Sequence, residues 1–256
     1  MEHTPAEMMV VAAARRLSND DVCFVGIGLP SAACNLARLS HAPDITLIYE
    51  SGTIGTQPDV LPLSIGDGEL CETALTTVSV PEIFRYWLQG GRISIGFLGA
   101  AQIDRFANLN TTVIGNYRSP RVRLPGAGGA PEIATFCKET LIIMRHSLRG
   151  MPKKVDFVTS LGFGHDGQER DRLGIATRGP SLVITDLCIM RPSPEDNELQ
   201  VTSIHPGVIP KQIVERTSWP IRFCAELEET PFPTPKELAD LRNLYLRTEN
   251  VKGRNT

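Results

Sequence analysis

The strongest constraint on this chain's fold is a repeated switch of hydrophobic period. Short apolar runs of strand length alternate with stretches of helical period. The first cycle sets the pattern. Val22-Cys23-Phe24-Val25 reads as a short buried strand, Gly26-Ile27-Gly28-Leu29-Pro30 as a tight turn, 31–39 as a helix and 44–49 as the next strand. Further strands are expected at 92–98, 111–114, 140–144, 155–159 and 181–185, and a hairpin between 187–190 and 199–204. Helices are expected at 5–17 (amphipathic), 81–88, 131–136 and 211–216. A last one starts at the Thr234-Pro235-Lys236-Glu237 capping box and runs to about Leu246. This alternation implies an α/β fold with a mostly parallel sheet flanked by helices. Residues 1–256 are read as one domain, with 247–256 as a frayed tail.

Composition narrows the function classes. The formal net charge is -3 and basic residues are neither in excess nor clustered, which gives no reason to expect nucleic acid. No apolar run approaches the ~20 residues of a membrane span. Met1-Glu2-His3-Thr4-Pro5-Ala6-Glu7 lacks the basic start and apolar core of a signal peptide, so a cytoplasmic location is expected. Cys23, Cys34, Cys71, Cys137, Cys188 and Cys224 form no Cys-x-x-Cys pair and read as reduced, structural thiols. His3, His41, His146, His165 and His205 show no metal-ligand spacing, so no metal is expected. His165 lies in a polar, glycine-rich loop and reads as a surface residue. His205, before a Pro-Gly turn, is an acid/base candidate without an evident partner.

The chemistry-bearing stretch is Ile48-Tyr49-Glu50-Ser51-Gly52-Thr53-Ile54-Gly55. Glu50 closes an apolar strand, and ligands bind outside the carboxyl ends of strands in open α/β sheets. Three glycine-rich loops accompany it, at 26–28, 96–101 and 126–129, and the last precedes a helix start, where bare backbone N–H groups suit an oxyanion or phosphate. Gln102, after the second loop, offers an amide donor. The irregular 55–80 passage, with a short helix expected at 69–75, is long enough to be functional or lid-like. A strand, Gly-x-Gly, a helix and an acid closing the next strand is also the layout of a dinucleotide site, with Glu50 on a ribose. Ser31 in place of the third glycine and Pro30 inside the loop count against that reading. There is no Gly-x-Ser-x-Gly elbow, Walker loop, His-Glu-x-x-His or paired carboxylate. Two readings of Glu50 stay open on the residues alone: a nucleophile toward an acyl carbon, with loop N–H groups stabilising the oxyanion, or an ion-pairing strand-end acid.

From Met8 to about Leu246 the chain resembles the B subunit of family I CoA-transferases, of the glutaconate CoA-transferase type. The resemblance is carried by Val25-Gly26-Ile27-Gly28-Leu29-Pro30, Ala42-Pro43-Asp44, Glu50-Ser51-Gly52, Ser64-Ile65-Gly66-Asp67, Gly99-Ala100-Ala101-Gln102-Ile103-Asp104, Gly126-Ala127-Gly128-Gly129-Ala130 and Leu173-Gly174, in that order. It implies the CoA-transferase (NagB/RpiA-like) fold, with Glu50 as the covalent catalyst. Gly26, Gly28, Gln102, Gly126, Gly128 and Gly129 would serve oxyanion and CoA binding. It further implies ping-pong transfer of CoA between an acyl-CoA thioester and a carboxylic acid, with no permanently bound cofactor. A separate A subunit would complete a hetero-oligomeric enzyme, the chain being inactive alone. Thr53-Ile54-Gly55 departs from the glutaconate pattern and leaves the acyl group open. The runner-up is a CoA-thioester hydrolase or decarboxylase on the same scaffold, and the third reading is a non-catalytic nucleotide-binding subunit.

Overall fold

The computed structural model describes residues 2–252. Contacts divide the chain into two units, Met1–Phe97 with Phe232–Thr256, and Leu98–Pro231.

The first unit begins with helix α1 (Pro5–Ala14), strand β1 (Val22–Phe24), helix α2 (Leu29–Ser40) and strand β2 (Thr46–Ile48). β1 and β2 pair in parallel, Phe24 opposite Ile48, and β1 also pairs in parallel with β5 (Ile95–Leu98). Antiparallel pieces extend the other side. β3 (Thr53–Ile54) folds back on β2, and β4 (Thr76–Thr77) pairs with β3. The passage after Gly55 holds the short helix expected at 69–75 as one turn, α3 (Glu69–Glu72), and also a strand absent from the sequence expectation. The helix expected at 81–88 is one short turn, α4 (Val80–Glu82), followed by π-helix over Ile83–Leu88. Its wider turn sets Ile83 and Leu88, five residues apart, both fully buried, and the Gln89 N–H reaches the Phe84 carbonyl at 2.8 Å. Phe84 meets Phe24 of β1 edge-on.

Two terminal expectations are corrected. α1 is buried at every position from Glu7 to Ala14, so it is a core helix rather than an amphipathic one. The C-terminal helix, Pro235–Lys252, continues past Leu246. Its last turns dock on the chain after β3: the Thr248 hydroxyl accepts from the Leu61 N–H at 2.9 Å and donates to the Leu244 carbonyl at 2.7 Å. Residues 247–252 are therefore helical rather than frayed, and 253–256 lie outside the described residues.

The second unit carries two small hairpins, β6 (Gln102–Ile103) with β7 (Leu109–Asn110) and β8 (Val113–Gly115) with β9 (Pro120–Arg123). Helix α5 (Ala130–Phe136) leads to β10 (Glu139–Ile143), and a one-turn helix α6 (Glu169–Arg172) precedes β11 (Pro180–Ile184). β10 and β11 run parallel. β12 (Cys188–Pro192) pairs antiparallel with β11 and forms the expected hairpin with β13 (Leu199–Ile204). After helix α7 (Pro210–Glu215), β14 (Arg222–Glu229) closes the unit parallel to β13. The strand expected at 155–159 does not form. An isolated bridge falls one residue later, where Ser160 exchanges hydrogen bonds with Leu109 at 3.0 and 3.1 Å. The class is α/β, a mixed sheet flanked by helices. No helix among the described residues is long and apolar enough to cross a membrane.

Candidate active site

Glu50 stands on a tight turn that joins the parallel strand β2 to the antiparallel strand β3. Tyr49 and Thr53 close the turn, with Tyr49 N–H to Thr53 O at 3.1 Å and Gly52 N–H to Tyr49 O at 3.0 Å. Glu50 and Ser51 are therefore the two central residues of a four-residue turn. Gly52 adopts φ +109°, and its carbonyl accepts from the Val78 N–H at 2.9 Å. A β-carbon at Gly52 would lie 2.0 Å from the Val78 carbonyl oxygen, so the glycine of Glu-Ser-Gly is set by backbone sterics. Gly55 repeats the situation at the next step, with φ +65° and the Leu75 side chain 2.6 Å from where a β-carbon would stand.

Beneath the turn lies a chain of polar side chains. The Tyr49 ring is fully buried, and its hydroxyl meets the Ser31 hydroxyl at 2.8 Å. Burial pushes the Tyr49 phenol well above its ordinary range, so it stays neutral. Asn35 donates to the Ser31 carbonyl at 2.9 Å, and Arg38 donates to the Asn35 side-chain oxygen and, at 2.7 Å, to the Pro58 carbonyl. Ser31, which in sequence only marked a missing glycine, thus fixes the residue before Glu50. The Ser51 and Thr53 hydroxyl oxygens on either side of Gly52 are buried with no hydrogen-bond partner.

Gly26 and Gly28 sit at the same sheet edge. β1 and β2 are parallel neighbours, so the loop after Phe24 and the turn after Ile48 leave the sheet together, and Val25 N–H still bonds Ile48 O at 2.9 Å. Gly28 caps α2 with φ +85° and open space where a side chain would stand. The second unit gathers the remaining predicted residues. Gln102 is 6% exposed; its side-chain carbonyl accepts from Asn110 Nδ2 at 2.7 Å and from the Asp156 N–H at 3.0 Å, and its amide donates to Asp156 Oδ2 at 3.1 Å. One amide hydrogen of Gln102 is thus already committed within the chain. The residue after Asn110 ties in the glycine loop: Thr111 O accepts from Gly126 N–H at 2.8 Å, and the Thr111 hydroxyl donates to Gly126 O at 2.7 Å. Gly126 and Gly128 both have positive φ and no atom within 4 Å of a would-be β-carbon; Gly129 caps α5. The loop presents bare backbone, as an oxyanion or phosphate nest requires.

The histidines take structural places. His205 is buried, with Nδ1 2.9 Å from the Thr230 hydroxyl and Nε2 2.8 Å from the Thr185 carbonyl, to which it donates. Its two ring nitrogens are occupied within the core, and it is no acid/base candidate. His165 is exposed. His146 is buried between the hydroxyls of Thr185, at 3.2 Å, and Thr217, at 2.9 Å, and burial pushes it down to about 4. None of the six cysteines is in a disulfide; Cys23, Cys34, Cys137 and Cys188 are buried, and Cys71 is exposed. Among the described residues no cluster of three His, Cys, Asp or Glu side chains could hold a metal ion.

In the first unit a strand-edge glutamate on a tight turn shares its edge with a glycine loop, a setting suited to acyl-group chemistry; the second unit carries its own pinned glycine loop. The model of the coenzyme A transferase family matches residues 6–216, and the chain belongs to that family. It is similar to the B subunit of 3-oxoadipate CoA-transferase from Pseudomonas knackmussii, at 62% identity over 96% of this chain and 95% of that one. It is also 35% identical to the glutaconate CoA-transferase B subunit of Acidaminococcus fermentans, over 90% and 89% of the two chains. The crystal structure of the latter enzyme superimposes with a TM-score of 0.88 over 94% of each chain, at 32% identity. The protein is a CoA-transferase B subunit of family I.

Proposed function

We propose that this B subunit works with an A subunit to move CoA from an acyl-CoA thioester to a dicarboxylic acid of the 3-oxoadipate kind, with Glu50 as covalent carrier. The placement of Glu50 carries the reading: a carboxylate held on a two-residue turn at the carboxyl edge of a parallel strand, beside the Gly26–Gly28 backbone. The high identity to a 3-oxoadipate CoA-transferase subunit supports the substrate class.

The chemistry follows from a carboxylate nucleophile. Glu50 attacks the thioester carbonyl and expels CoA thiolate, leaving a mixed anhydride between Glu50 and the donor acyl group. The thiolate then attacks the glutamyl carbonyl, breaks the anhydride and releases the donor carboxylate, which leaves Glu50 as a glutamyl-CoA thioester. The acceptor carboxylate runs the same steps backwards. Each tetrahedral centre places negative charge on an oxygen, and fixed backbone N–H groups stabilise such charge without reorganisation. The thioester energy is conserved, so the scheme asks for neither metal nor nucleotide triphosphate, and CoA enters only as part of a substrate. Its setting is the cytoplasm.

The test is transfer of CoA from a panel of acyl-CoA donors to 3-oxoadipate, catalysed by the chain together with its A subunit. Glu50→Ala is expected to abolish turnover, and a fully active Glu50→Ala complex overturns the proposal. Turnover that proceeds equally without a carboxylate acceptor would show hydrolysis instead.

A further inference from the structure

The transfer chemistry makes no use of two arginines in the second unit. A cleft of about 710 Å³ is lined by Gln102, Ile114, Arg121, Leu148, Arg149 and Asp156, among others. Arg121 comes from β9 and Arg149 from the turn between Ser147 and Met151. That turn is pinned on both sides: Met151 N–H bonds Ser147 O at 2.8 Å, and the Gly150 carbonyl accepts from Ile103 N–H of β6 at 2.8 Å.

Among the described residues the two guanidiniums have no side-chain partner, unlike Arg123, Arg172 and Arg222. Arg123, two residues from Arg121, lies over the Tyr117 ring and donates to the Tyr117 carbonyl at 3.0 Å. Arg172 and Arg222 are paired with carboxylates at 2.7 Å. Arg121 and Arg149 are exposed and make no side-chain hydrogen bond or ion pair with any described residue. The one carboxylate in the lining, Asp156, faces its own wall, where Oδ2 accepts from Gly115 N–H at 2.9 Å and from Gln102 Nε2 at 3.1 Å. The surrounding sequence deepens the positive potential. Residues 105–131 and 140–155 hold eight Arg and Lys side chains (Arg105, Arg118, Arg121, Arg123, Arg145, Arg149, Lys153 and Lys154) and no Asp or Glu, in a chain whose net charge is -3. Basic residues are therefore clustered here, contrary to the expectation from composition.

We propose that this cleft is a substrate-anion site in which Arg121 and Arg149 hold the charged oxygens of a phosphate or carboxylate. Guanidinium forks match both groups. The volume lies within the few hundred to ~1,000 Å³ range of small-molecule pockets and exceeds what an inorganic ion needs, and Ile114 and Leu148 give it apolar wall. The ligand is therefore an anion carried on a larger body. Within the CoA-transfer reading, on which this inference rests, two sources supply that chemistry: the phosphates of CoA, or the distal carboxylate of a dicarboxylic acid.

Calorimetric titration of the full chain separates them. CoA, 3′-dephospho-CoA, adipate and hexanoate are titrated into the wild type, the Arg121→Gln/Arg149→Gln variant and, as a charge control outside the cleft, Lys211→Gln. The double variant is expected to lose at least about tenfold in affinity for one anion while the control does not. A loss for CoA, with wild-type binding already weaker to 3′-dephospho-CoA, assigns the CoA phosphates. A loss for adipate, with hexanoate bound weakly throughout, assigns the distal carboxylate. Equal binding of all four probes by wild type and double variant, or no binding of CoA or adipate by the wild type, overturns the proposal. Binding that follows the arginines while the two-subunit complex transfers no CoA refutes the transfer reading alone.

Discussion

Gly52 shows how a single backbone position can decide what a carboxylate does. Its φ of +109° belongs to a region that side chains rarely adopt, and the Val78 carbonyl stands where a β-carbon would be. Gly52→Ala must therefore open the turn. We expect it to cost about 1–3 kcal/mol of stability, measured by denaturant unfolding. A displacement of Glu50 by about 1 Å is expected to lower transfer on the order of 100-fold in the two-subunit complex. Unchanged kinetics in a folded Gly52→Ala variant would show that the turn does not position Glu50. At this scale the sequence was informative about residue types and silent about their contacts. Glu50 and its glycines were legible because an acid at the end of an apolar run is conspicuous. The Ser31–Tyr49 bond was not, because it joins residues eighteen positions apart through side chains whose meeting depends on the packing of α2 against β2. Gln102 was read as a donor, yet its amide is fixed by Asn110 and Asp156, partners that only the fold brings near.

Among the elements, α1 and the C-terminal helix are joined by two ion pairs that double as helix caps. Glu7 closes the capping box of α1 with Thr4 and accepts from Arg242 at 2.6 Å; Glu237 closes the box at Thr234 and accepts from Arg15 at 2.7 Å on each oxygen. The Arg242 hydrogen bond is the main reason that the Glu7 carboxyl is held down at about 2. Burial alone would raise Glu237, but its bonds to Arg15 and Thr234 bring it also to about 2. Carboxyls depressed in this way stabilise the fold above about pH 4.5, and that contribution fades as pH falls from 4.5 toward 2. Glu7→Gln, which keeps the shape and removes the charge, is expected to lower stability by about 1–3 kcal/mol at pH 7 and by much less at pH 2.5, as read by chemical unfolding at the two pH values. Elements read well where burial dictated composition and poorly where it did not. β14, Arg222–Glu229, escaped notice because Glu226, Glu228 and Glu229 give it the charge that exposed edge strands carry. The opposite error, a strand at 155–159, came from Val155, Phe157 and Val158, whose apolar character serves a bend instead.

For the whole molecule, acid sensitivity above pH 4.5 should trace to a histidine. Burial outweighs the opposing pull of Asp186 and sets His146 at about 4, against 6.5 for an unfolded histidine. The unfolded chain therefore takes up a proton that the folded chain refuses between those values. Stability is complete above pH 6.5, declines as pH falls toward 4, and is expected to drop by about 2 kcal/mol between pH 7 and pH 5. Unfolding curves at those two values should show the drop in the wild type and not in His146→Gln. At this scale the family was readable from an ordered set of short glycine-bearing blocks, each weak alone. The basic cleft was not, because Arg121 and Arg149 lie on separate segments and a near-neutral total charge hides them.

In the proposed cycle Glu50 carries CoA covalently. To test it, the two-subunit complex is incubated with 3-oxoadipyl-CoA, reduced with borohydride and mapped by peptide mass spectrometry. The side chain at position 50 is expected to be converted to the alcohol, with matching loss of activity, and no conversion is expected without the acyl-CoA. Reduction at another residue, or an unmodified Glu50 in complex inactivated by the treatment, would contradict it.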